Sequence, residues 1–222
     1  RPLDFGVFPT VLLLATLLIG CAATTDEIDT TTQDLAAGGE VGVISDLDDT
    51  LIPKAEPDLS LPPQPGIAEL YDILEHRRSG RDGDVYYVTA RKPERVKDVP
   101  KYLADNGVPA GPIETGTSGA PFIARPEKVK DIEKIFSKTG AQRFVLFGDT
   151  THVDVDVQQD VLKKHPERVI AGIILKASDF DESRLVEGQY LVNDYAEAAA
   201  VLRELGVINR TEEKRVARAA RP

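Results

Sequence analysis

Cysteine is almost absent: Cys21 is the only one in 222 residues, which excludes an intrachain disulfide. An excess of basic residues is missing too. Lysine and arginine number 27 against 37 aspartates and glutamates, a formal net charge of −10. A general nucleic-acid binder carries the opposite balance. Anionic substrates remain possible, because a bound divalent cation inverts the local field. No uncharged apolar run reaches the 18 or so residues that a bilayer-spanning helix needs. Internal repeats are also lacking. What is present is ordinary for a globular domain: 41% hydrophobic and 29% charged residues. The length suffices for one domain with a real core and a short appendage.

The longest apolar run, "VFPTVLLLATLLIGC" at 7–21, is too short to cross a hydrocarbon core of roughly 30 Å comfortably at about 1.5 Å per residue. It reads as the hydrophobic region of a secretory leader. Its end, Leu18-Ile19-Gly20-Cys21, resembles the bacterial lipoprotein lipobox. That resemblance implies a leader over 1–20, a lipid on Cys21 and a lipid-anchored, exported protein of the bacterial envelope. Residues 21–40, rich in Thr, Asp, Ala and Gly without a sustained period, read as a flexible tether with an r.m.s. reach of roughly 25 Å.

From residue 41 short β-branched runs alternate with helical patterns. Strands are expected over 41–45, 84–90, 143–149 and 168–175, and helices over 66–80, 93–107, 125–140, 153–166 and 194–206. Pro100 is expected to kink the second of these helices. The stretch "GVPAGPIETGTSGAPF" (107–122) reads as a loop, and the basic residues 208–222 as a frayed tail after a domain spanning 41–207. Strands alternating with helices give an α/β fold, a parallel sheet with helices on both faces.

Ligand sites in such sheets form outside the carboxyl ends of the strands. The first strand, "VGVIS", runs into Asp46, Asp48 and Asp49. The second ends in Thr89, with Arg91 just beyond as a candidate for phosphate or substrate binding. The third expected strand ends in Gly148 and Asp149, with Asp154 one loop on, and Lys128 lies near the start of the helix before it. Like charges about 4 Å apart repel by on the order of 4 kcal/mol at an effective dielectric near 20. A divalent cation turns that repulsion into ligation, and an oxygen-only, carboxylate-rich donor set suits Mg²⁺. Asp49 and Thr50 read as the start of a turn. Asp154 fits a helix cap or the site, and Lys130 competes with Lys128. His152 reads as a loop histidine, and His76 and His165 as helix-surface residues.

"DLDDT" (46–50), "VYYVTA" (85–90), Lys128 and "VLFGDTTHVD" (145–154) resemble, in order and separation, the four motifs of the haloacid-dehalogenase superfamily. The resemblance implies a Rossmann-like fold and a phosphoaspartate mechanism. It makes Asp46 the nucleophile and Asp48 the acid and base. Thr89 would hydrogen-bond the phosphoryl oxygens, and Lys128 would offset charge. Asp149 would bind Mg²⁺ beside Asp46 and the Asp48 carbonyl, with Asp154 orienting the metal shell. Too few residues separate Leu51 from Gly66, or Thr89 from Lys128, for a cap domain, so bulky substrates are admitted.

A narrower resemblance follows. Residues 86–113 and 128–174 are similar to the catalytic segment of lipins and the actin-patch phosphatidate phosphatase, although "TARKP" at 89–93 is nearer the lipin pattern. This implies a Mg²⁺-dependent phosphatase acting on phosphatidate or a similar phospholipid. Two alternatives stand beside it: a broad envelope phosphatase for protein or nucleotide phosphomonoesters, and a non-catalytic binding module on the same scaffold.

Overall fold

The structure, a computed structural model, describes residues 41–53, 59–76, 84–139 and 142–221. The expected leader, Cys21 and the tether lie outside the described residues. The chain order is β1 (Val41–Ser45), α1 (Ile67–His76), β2 (Val85–Thr89), α2 (Val99–Asp105), β3 (Ile113–Thr115), α3 (Pro121–Lys138) and β4 (Arg143–Asp149). Then come α4 (Asp154–Lys164), β5 (Val169–Leu175), β6 (Gln189–Val192), α5 (Tyr195–Glu204) and α6 (Arg210–Ala219). All six strands are parallel, in the spatial order β3-β2-β1-β4-β5-β6. This is an open Rossmann-like sheet. The chain turns back across it between β3 and β4, so the switch point lies between β1 and β4, and the motif acids of both strands end there.

Alternation along the strands sorts the core into two layers. Val43, Tyr87, Val145, Phe147 and Ile173 face one side, packed with Ile67, Leu70 and Leu74 of α1, Leu103 of α2, Leu202 of α5 and Val216 of α6. Ile44, Val88 and Leu146 face the other, against Ile132, Ile135 and Phe136 of α3 and Val157 and Val161 of α4. A fully buried side chain of this size contributes about 1.5–3 kcal/mol. Two layers of them explain why the strands read as continuous apolar runs.

Four expectations need correction. Residues 93–107 do not form one kinked helix. A 3₁₀ turn over Pro93–Arg95 precedes α2, and Pro100 sits in the first turn of α2, where a missing N–H leaves no helical bond unmade. The stretch taken as a loop contains β3, whose Ile113–Thr115 pair with Tyr87–Thr89. The helix expected from 125 begins at Pro121 and carries Pro126 inside it. The basic tail folds as α6. Asn209 caps it, with Glu212 returning a bond to the Asn209 amide, and Val216 is fully buried against the core.

Candidate active site

The turn after β1 is held by its apolar residues. Leu47, Leu51 and Ile52 are fully buried, and the Leu51 and Ile52 amides both donate to the Leu47 carbonyl, at 3.0 and 2.7 Å. Asp49 takes a left-handed φ of 58° to close the turn, a conformation that, glycine aside, short polar residues tolerate best. The Asp46 amide donates to the Phe147 carbonyl at 3.0 Å. That bond carries the β1–β4 pairing one residue past the strand. Asp46 is thereby set beside Asp149.

Asp46, Asp149 and Asp154 are all buried and offer one carboxylate oxygen each within 4.8 Å of one another. Lys128 reaches into this group from α3. Its Nζ donates to Asp46 Oδ1 at 2.7 Å and to Asp154 Oδ1 at 2.6 Å. The first turn of α4 brings Asp154 back over β4. There its Oδ2 accepts the Asp149 amide at 3.4 Å, and Gly148 leaves room for it: a Cβ at 148 would sit 2.5 Å from the Asp154 Cβ. Asp154 is the first residue of α4 and not its N-cap, a position that Val153 occupies. Lys130, the competitor for the motif position, is exposed.

Three buried carboxylates and one ammonium do not balance. Burial pushes the Asp46 carboxyl well above its ordinary value. Lys128 opposes that shift, and Asp154, Asp149 and Asp48 reinforce it. Asp149 is pushed up to about 7, first by burial and then by Asp154. Burial acts to discharge Lys128, yet Asp154 and Asp46 outweigh it and hold the ammonium well above its usual range. The group lacks positive charge, and its donors are all oxygen. That fits a hard divalent cation held by Asp46, Asp149 and Asp154.

Asp48 is separate from this cluster. Arg91 grips it through two nitrogens, Nε to Oδ2 at 2.9 Å and Nη2 to Oδ1 at 2.5 Å. The remaining guanidinium nitrogen, Nη1, is buried and has no hydrogen-bond partner among the described residues. Thr89 is buried at the end of β2, where its Oγ1 accepts the Arg91 amide at 3.1 Å. A crevice of about 430 Å³ opens over these groups, walled by Asp46, Asp48, Arg91, Lys92, Arg95 and Lys128 among others. His152, read as a loop histidine, also lines it and lies 3.9 Å from an Asp49 oxygen.

Sequence reasoning missed the groups behind the acids. Thr50 Oγ1 donates to Asp149 Oδ2 at 3.3 Å, and Tyr195, 145 residues away, donates to the Thr50 carbonyl at 3.0 Å. Tyr71 donates to Ser45 Oγ at 2.8 Å, and Ser45 donates to the Asp46 carbonyl at 2.6 Å. Burial raises both phenols, so each keeps its proton and acts as a donor. Only the apolar setting of Tyr71 and Tyr195 in the sequence hinted at an inward role.

The family model of the catalytic domain of phosphatidate phosphatase APP1 matches residues 41–176, more than half of the chain. The chain belongs to the APP1 phosphatidate phosphatase catalytic-domain family. The matched span runs from β1 to just past β5 and holds Asp46, Asp48, Thr89, Arg91, Lys128, Asp149 and Asp154, while Tyr195 lies beyond it. No curated protein matches the chain.

Proposed function

We propose that the protein is a Mg²⁺-dependent phosphomonoester hydrolase that works through a phosphoaspartate on Asp46, with phosphatidate or a similar phospholipid as substrate. The observation that carries this reading is the placement of the Asp46 carboxylate. It stands at the floor of an open crevice, bonded to Lys128 and within reach of Asp149 and Asp154. Family membership supports the same class of reaction.

Asp46 and Asp149, together with the Asp48 carbonyl and Asp154, would hold the cation, which when bound polarises a phosphoryl oxygen. Lys128 neutralises charge on the nucleophile side. Thr89 retains its hydroxyl proton to donate to a phosphoryl oxygen. The unpartnered Arg91 nitrogen suits an oxygen of the incoming phosphate. Asp46 attacks phosphorus, forming the Asp–O–P bond as the ester P–O bond breaks. Asp48 gives its proton to the leaving alkoxide, then takes one from the water that cleaves the acyl phosphate. Before Asp48 can hold that proton, its fork with Arg91 must loosen. Phosphate binding to Arg91 provides the competing acceptor. Catalysis of this kind is mostly positioning and charge stabilisation.

The openness of the crevice favours a bulky lipid ester over a small metabolite. A lipid on Cys21 and a tether over 21–40 would hold the domain beside such substrates, on an exported face of a bacterial envelope, at high local concentration. The test is phosphate release by the full chain from phosphatidate in mixed micelles, p-nitrophenyl phosphate and phosphopeptides, with Mg²⁺ and with chelator. Metal-dependent turnover highest on phosphatidate is expected. Preference for phosphopeptides would replace the lipid by the broader substrate class, and no turnover on any of them would leave a binding module.

A further inference from the structure

Phe122 is out of place for a core-forming residue. It is 80% exposed, more than any other large hydrophobic residue among the described ones. It stands in the first turn of α3, next to Pro121, which lines the crevice. Ala124, two residues further, lines the crevice as well. Pro126 has no amide hydrogen to give the Phe122 carbonyl, so this turn lacks one of its usual helix bonds.

The same crevice is lined by a stretch of net positive charge. Lys92 and Arg95, in the turn after β2, line the same opening with Glu94 between them; all three are exposed, and neither cation makes an ion pair among the described residues. Pro93, between them, is exposed too. On a chain of net charge −10, two unpaired cations against the one acid of Glu94 leave this stretch of the crevice lining net positive. Apolar side chains flanked by Lys and Arg are the pattern of surfaces that seat at the headgroup boundary of a bilayer. There the ring enters the acyl region and the cations meet lipid phosphates.

We infer that this rim is a membrane-docking surface. Phe122, with Pro121, inserts at the interface, and Lys92 and Arg95 bind anionic headgroups around the crevice, so that a lipid phosphate reaches Asp46 without leaving the membrane plane. The inference rests on the phospholipid reading above and deepens it. It assigns to the crevice rim a role distinct from that of any lipid anchor. The anchor sets distance, and the rim sets orientation.

The chain contains no tryptophan, so Phe122→Trp places a sole indole on the rim. Ser137→Trp, exposed near the far end of α3, places one about 22 Å away along the helix axis. Each full-length variant is mixed with vesicles of phosphatidylcholine and phosphatidylglycerol, which carry negative charge but no phosphomonoester. Docking predicts a blue shift and quenching by brominated lipid at position 122, with neither at 137. Adding Lys92→Gln and Arg95→Gln should raise the vesicle concentration needed for the shift by roughly thirtyfold, the combined attraction of two cations to an anionic surface. An unshifted indole at 122, or equal shifts at both positions, overturns the docking surface even if wild-type protein hydrolyses phosphatidate. A shift confined to 122 in a protein that leaves phosphatidate intact upholds the surface and removes the substrate reading instead.

Discussion

Arg91 and Asp48, 43 residues apart in the chain, meet in a two-nitrogen fork at the mouth of the crevice. The fork ties the expected acid and base to a guanidinium that has a third nitrogen to spare. Replacing Arg91 by Gln removes a charge-assisted contact worth about 1.5–3 kcal/mol. The expected result is a fall in kcat/KM of roughly ten- to a hundredfold. Arg91→Lys should recover only part of it, because an ammonium cannot reproduce the fork. Steady-state kinetics on a soluble phosphomonoester checks both.

Lys128 is the one cation within the buried carboxylate group among the described residues. Lys128→Met leaves Asp46 and Asp154 buried without it. Breaking a buried pair on one side destabilises by on the order of 3–5 kcal/mol. Urea denaturation in chelator at neutral pH should show a loss of that size, and saturating Mg²⁺ should reduce it.

The raised carboxyls fix a sign for pH. Burial and then Asp154 push the Asp149 carboxyl up to about 7, against 3.8 for the ordinary carboxyl. Between those values the folded state holds more protons than the unfolded one. This group's effect on metal-free stability is therefore favourable at low pH and fades as pH rises toward 7. A divalent ion must displace those protons, so its stabilisation grows over the same window. Melting temperatures with and without Mg²⁺ should diverge progressively as the pH rises from 3.8 to about 7. A constant difference would mean that the ion does not compete with protons on these acids.

Gly148 is required by its neighbour. A methyl group there would lie 2.5 Å from the Asp154 Cβ, and both atoms belong to rigid parts of the chain. Gly148→Ala should destabilise by about 1–3 kcal/mol. By displacing Asp154 it should also weaken Mg²⁺ binding, measurable by calorimetry.

The acids were legible in the sequence because three of them fall at or just after strand ends, and the strands were legible because burial on both faces makes them continuous apolar runs. Lys128 was legible through its place near the start of the helix before the third expected strand and the lysine-then-isoleucine spacing of "KVKDIEKIF". The polar supports were not. Tyr195 reaches Thr50 across 145 residues, and no local pattern encodes such a pairing. The strand Ile113–Thr115 was hidden because it is only three residues long and flanked by glycine and proline. Its strand character comes from pairing with β2. The helix Arg210–Ala219 was hidden because its one fully buried side chain, Val216, sits among charges. Its cap, Asn209 with Glu212, was the readable signal.

Reductive trapping with tritiated borohydride during turnover asks directly whether Asp46 becomes covalently bonded to phosphorus, since an acyl phosphate is reduced to the alcohol and a free carboxylate is not. Label on residue 46 that requires both substrate and Mg²⁺, together with loss of hydrolysis in Asp46→Asn, is the expected result. An unlabelled residue 46 in a protein whose Asp46→Asn variant hydrolyses phosphatidate at the wild-type rate would contradict it.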